Sequence, residues 1–239
     1  MIIAVLVLFG IAHIPVTEKY GVNFTYYQRT MPLYEKAVHF ISRHLLYRRL
    51  AREITLQATT PEEALEAILE WMRDNIHNGI PQGLRVCDDH IASIIIRGYG
   101  ADDQIVDVFC VLSTYSGMRA SMYKLPKSAD GTSFRVAAIV EVDGLWRLAD
   151  PNYHLIFRDE RGDLMTLNTL IGDPHSIERS PSLEALPGAK EPYLMYFQYI
   201  KPVGEIKTVR AELQIPLRRL LFEIRKAFRL EDNPPLFVG

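Results

Sequence analysis

The stretch DQIVDVFCVLSTYSG, residues 103–117, restricts the fold more than any other. Ile105, Val106, Phe109, Cys110 and Leu112 put apolar side chains nearly all round a helix, and such a helix belongs at the centre of a domain. Other elements must therefore cover it on every side. Gly117 supplies a C-cap. Ahead of the helix, RGYGADDQ sets Gly98 and Gly100 in a tight turn and places Asp102 at the helix mouth. Asp is a preferred N-cap residue and complements the helix dipole, so Asp102 is expected to cap. A functional reading stays open, in which Asp102 and Asp103 bind a cation or cationic ligand group, or Asp102 acts as general acid or base.

The covering elements are legible on both sides. TTPEEALEAILEWMRDNI predicts a helix with Thr60 as N-cap, Pro61 at N1 and Glu63 completing a capping box. Ala64, Ile68, Trp71 and Met72 form its apolar face. A second helix is expected from about Asp89 to Arg97, and a third, rich in aromatics and arginines, over 31–56. After Gly117 the period changes to two: RASMYKL, FRVAAIVEV and LWRLADP read as strands, the last two joined by the hairpin signal Asp143-Gly144. Residues from about 158 to 204 read as irregular, and IPLRRLLFEIRKAFRL as a final amphipathic helix. Helices followed by a sheet define an α+β protein.

With 27 Lys and Arg against 29 Asp and Glu, the charge balance gives no ground for a nucleic-acid partner. Cys87 and Cys110 fit no zinc or CxxC spacing. Cys110 lies about two turns inside the central helix, roughly 10–12 Å from its mouth, and reads as a packing residue. Cys87 stands beside Asp88, Asp89 and His90, an acidic setting that raises a thiol pKa. DDH at 88–90 together with ADDQ would make a metal cluster only if adjacent side chains converged, and the expectation is that they do not. The run MIIAVLVLFGIAHI is apolar throughout; as a helix it would reach roughly 21 Å, short of a roughly 30 Å hydrocarbon core. Membrane anchor, signal remnant and buried strand all remain readings of it.

Taken in order, RGYGxxDQ, a buried helix ending in YSG, a strand with VEV, a DG turn, Trp146 and Asp150-Pro151 resemble the transglutaminase-like superfamily of the papain-type cysteine fold. The resemblance covers about residues 60–155. It implies a buried central helix packed on an antiparallel sheet, with extra helices at both ends. It also implies a cysteine at the helix mouth, a histidine on the next-but-one strand and an orienting aspartate before a proline. A thiol so placed is activated by the helix dipole and an imidazolium, and the aspartate orients the imidazole. Carried over by position, the nucleophile slot holds Asp102, the histidine slot four residues before Glu141 holds Ala137, and only Asp150 matches. A carboxylate and a methyl group cannot perform thiolate acyl transfer. Tyr99, Asp103, Gln104, Trp146 and His154 complete the expected cleft.

The expected division is an apolar segment 1–16, a helical extension 17–58, the transglutaminase-like core 59–157 and a C-terminal region 158–239. The leading expectation is a non-catalytic domain that binds or scaffolds a protein, peptide or envelope polymer, without cofactor or metal. It would be membrane-associated or extracytoplasmic, held by the N-terminal run. The alternative is a hydrolase or acyltransferase with a site rewired around Asp102, Asp103, Asp150 and His154, which needs an imidazole or metal within hydrogen-bond reach of Asp102. A third reading docks the two basic amphipathic segments on lipid or on a partner helix. In the last of them Leu217, Leu220, Leu221, Ile224 and Phe228 share one side.

Overall fold

A computed structural model describes residues 2–22, 25–84, 88–181 and 190–238. The apolar start is a helix, α1 (Ile2–Ala12), which overturns the buried-strand reading. No helix among the described residues is long and apolar enough to cross a membrane. An antiparallel hairpin follows, β1 (Pro15–Val22) and β2 (Thr25–Pro32), in register from Pro15↔Pro32 to Val22↔Thr25. The extension 17–58 is therefore not helical throughout. Its first half is rich in Thr and Tyr, which suit a pleated surface better than a helix. The expected aromatic and arginine-rich helix is α2 (Leu33–Ile54).

Helix α3 (Pro61–Asn75) starts as its sequence predicts. Glu63 N–H donates to Thr60 Oγ1 at 3.2 Å, and Glu63 Oε2 accepts from the Thr60 amide at 3.2 Å. Two-residue β3 (His77–Asn78) runs parallel to β4 (Tyr99–Gly100), which follows α4 (Ile91–Arg97). Gly98 ends α4 at φ 71, the left-handed conformation that glycine adopts without strain.

Helix α5 (Asp102–Tyr115) is the predicted centre. Its residues Ile105, Val106, Val108, Phe109, Cys110, Val111 and Leu112 are all buried. Helices α2, α3 and α4 pack against it on one side and the main sheet on the other. That sheet has the order β5-β6-β7-β8: β5 (Arg119–Pro126), β6 (Phe134–Val142), β7 (Leu145–Asp150) and β8 (Leu155–Ile156), all antiparallel. Asp143 and Gly144 turn β6 into β7 at φ 52 and 74, both positive as a type I′ turn requires.

The sheet is buried on both faces, and alternate residues fall into two clusters. Met122, Ala138, Val140, Ala149 and Ile156 pack with α5. Tyr123, Ala137, Ile139, Leu148 and Leu155 pack on the opposite side. Residues 158–204, expected to be irregular, supply the cover for that second face. They form α6 (Leu167–Gly172), a 3₁₀ turn at Pro174–Arg179 and α7 (Lys190–Phe197), contributing Leu170, Ile177, Tyr193 and Phe197. The chain then passes through a 3₁₀ turn at Arg210–Gln214 into α8 (Pro216–Ala227). Its tail returns to the free edge of β5, where the Val238 amide donates to Met122 O at 3.0 Å and Val238 O accepts from Lys124 N at 3.1 Å.

Candidate functional site

The mouth of α5 is held from behind by Gln104. This buried amide accepts from Arg97 Nη2 at 2.8 Å and from the Ala101 amide at 3.1 Å, and it donates to Asp89. Arg97 also donates to Tyr99 O at 2.8 Å and Asp88 O at 2.9 Å, with its guanidinium 5.4 Å over the Tyr99 ring. A Cβ on Gly100 would meet Gln104 and Ile94 at 3.2 Å, so any larger residue there would press on both side chains. Gln104 and Tyr99 thus build the turn, and Gln104 does not line the cleft.

Asp102 is not the cap. Ala101 occupies the N-cap position and Gln104 reaches its amide first. Asp102 and Asp103 stand in the first helical turn, exposed, where their charges complement the exposed N–H groups. Both line an open groove of about 570 Å³ with Gly79, Lys127, Phe134 and Phe237. The Phe134 and Phe237 rings meet edge to face with centroids 5.7 Å apart, and Lys124 Nζ lies 4.9 Å from the centre of Phe134.

The other two positions carried over from the resemblance lie elsewhere. Ala137 is fully buried in the second cluster, pointing away from α5. Its neighbour Val136 is the one that packs toward α5 and lines the Asp102 groove. The position four residues before Glu141 therefore does not face the Asp102 groove, because one residue on a strand reverses the direction of the side chain. Asp150 shares the Ala137 face and has no solvent exposure. It accepts from Arg135 Nε at 2.8 Å, from Tyr193 Oη at 2.6 Å and from the Asn152 amide at 3.1 Å. Burial pushes its carboxyl up, while Arg135 and these hydrogen bonds pull it down. The Arg135 guanidinium lies 4.3 Å over Tyr153. An acid so enclosed cannot orient a group at Asp102.

Nor does His154 serve. It sits after β7 at φ 56, and burial, then the charge of Arg73, hold its imidazole below the usual range against Asp150 and Asp74. It is not among the residues that line the Asp102 groove. Trp146 packs on the second face beneath Arg119, whose guanidinium is 5.8 Å from the ring, and Arg119 pairs with Glu141 at 3.1 Å. Cys110 is buried, and burial raises its thiol well above the ordinary range. Cys87 lies outside the described residues. In the DDH run, Asp88 accepts from the His90 amide at 2.9 Å, Asp89 accepts from Gln104, and His90 lies 3.8 Å from Glu18. No cluster of three or more His, Cys, Asp or Glu among the described residues is arranged to hold a metal. Sequence reasoning missed Arg135 and Tyr193. Arg135 stands two residues before Ala137 and hence on its face, a signal the period of two contains; Tyr193 carries no local signal.

Neither a protein-family model nor a curated protein matches the chain. Among solved structures, a candidate cysteine protease from Cytophaga hutchinsonii matches 46% of this chain at 14% identity with a TM-score of 0.38. A candidate protease from Parabacteroides distasonis matches 57% at 14% identity with a TM-score of 0.37. The matches span 37% and 35% of those two chains.

Proposed function

We propose that this chain is a non-catalytic binding or scaffolding module on a transglutaminase-like frame. Its groove beside Asp102 and Asp103 would receive a peptide, protein or envelope-polymer segment that carries a cationic group. One observation carries the reading: among the described residues no histidine or cysteine lines the groove beside Asp102, where β6 presents Val136. Asp102 is exposed in the groove, while Ala137 and Asp150 are sealed on the far side of the sheet, Asp150 by Arg135 and Tyr193. The exposed carboxylates of Asp102 and Asp103 would take the cationic group, while Lys127 and Arg135, which line the same groove, and Lys124, which lies over its aromatic pair, would take acidic groups of the same segment.

The test uses the full chain in two assays. Against amide and ester substrates it should be silent. Toward a short peptide alternating lysine and leucine it should bind, and Asp102→Asn with Asp103→Asn should weaken binding about tenfold, worth about 1.4 kcal/mol. Hydrolysis that disappears in Asp102→Asn would instead make Asp102 a reacting group and sink the proposal. A second probe checks the groove's geometry. In a Cys87→Ser background, Asp102→Cys should alkylate readily at neutral pH, because a thiol in a first helical turn is exposed and its thiolate is favoured. The buried Cys110 should not react.

A further inference from the structure

Three helices leave apolar surface uncovered, and α1 decides what can cover it. Val5, Leu6, Val7, Leu8 and Phe9 are consecutive, so at about 100° per residue they point right round the helix. Every one of them is more than half exposed. A protein groove covers one side of a helix, whereas an acyl phase covers all of them. The 11 residues of α1 extend about 16 Å, close to the depth of one leaflet.

Helix α2 lies against α1, with the His13 ring 5.2 Å from the Tyr34 ring. Tyr34, Val38, Ile41 and Leu45, at i, i+4, i+7 and i+11, form an exposed stripe along it. The same stripe continues into Arg48 and Arg52, which with Leu45, Arg49 and Leu56 border an open groove. It is thus apolar near α1 and cationic at the far end. Helix α8 also packs on α2, yet it buries Phe222 and leaves Leu217, Leu220, Leu221, Ile224 and Phe228 in solvent. Together α2 and α8 hold nine Lys and Arg against three Glu, in a chain whose totals are 27 basic and 29 acidic. The remaining residues are accordingly acidic, 18 against 26.

We propose that α1, α2 and α8 form a docking surface for an anionic lipid bilayer. In this arrangement α1 enters the acyl layer and the arginines of α2 and α8 lie at phosphate level. The pairing of an inserted apolar helix with basic amphipathic helices supplies the two attractions that stable surface binding requires. The surface is separate from the Asp102 groove, so each proposal can fail alone.

Flotation of the full chain, diluted from mild detergent into vesicles, tests it. The chain should rise with phosphatidylcholine vesicles containing phosphatidylglycerol, and bind phosphatidylcholine alone about tenfold more weakly. Arg48→Glu, Arg49→Glu and Arg52→Glu combined should reduce binding to the anionic vesicles by at least about tenfold with an unchanged melting temperature. Leu6→Asp with Phe9→Asp should abolish flotation, and circular dichroism should report an unaltered fold. Equal binding to neutral and anionic vesicles would overturn the proposal. So would a chain that stays at the bottom of the gradient as a defined oligomer which Leu220→Glu with Ile224→Glu dissolves, since a second copy would then be the occupant.

Discussion

The Asp150 carboxylate accepts from a guanidinium, a phenol and an amide in a site closed to water. Removing one partner of a buried pair costs more than the pair contributes, because a charge is left behind. Arg135→Met should therefore destabilise the protein by about 3–5 kcal/mol in urea unfolding. Tyr193→Phe, which removes one neutral donor, should cost about 1–2 kcal/mol. Asp107 makes a different prediction. Burial raises its carboxyl to about 6, Arg210 opposes the shift, and Asp103 and Asp89 add to it. Its folded-state pKa lies above the unfolded value, so its contribution is full below about pH 4 and is lost as pH rises through about 6. Asp107→Asn should then gain about 3 kcal/mol over the parent at pH 8, and the gain should vanish near pH 4. Urea midpoints at the two pH values check the sign.

Among the elements, those with strong local chemistry were legible and those set by tertiary cover were not. The α3 capping box, the Asp143-Gly144 turn and the apolar girdle of α5 are each specified within a few residues. The hairpin β1–β2 gives a weak local signal because Glu18 and Lys19 stand in the middle of β1 and Gly21 near its end. The cover formed by α6 and α7 was hidden because its helices are short and their apolar residues answer to a sheet far away in sequence. At the site, the RGYG turn is enough to put Asp102 at the helix mouth but not to mark Ala101 as the cap, since the Gln104 bond depends on Arg97 and Asp89 folding behind it. Ala137 and Val136 face opposite sides of β6, a distinction that the strand period alone carries. The same dependence yields a prediction for α5: Gln104→Ala should cost about 2 kcal/mol by leaving the Ala101 amide and Arg97 without their acceptor. Amide exchange should accelerate first in the opening turn of α5.

Over the whole molecule, the sheet is closed by chain segments distant in sequence: α5 on one face, α6 and α7 on the other, and the tail along β5. Deleting residues 236–239 should expose the β5 edge, and the shortened protein should aggregate on concentration, as light scattering would record. That edge guard has a consequence in time. Val238 follows β5 by about 110 residues, so at roughly 5–20 residues per second a ribosome leaves the strand unguarded for about 5–20 s. During that interval the nascent chain carries an open strand and an apolar leading helix together, and whatever shelters it then must do so before the protein has acquired its own protection.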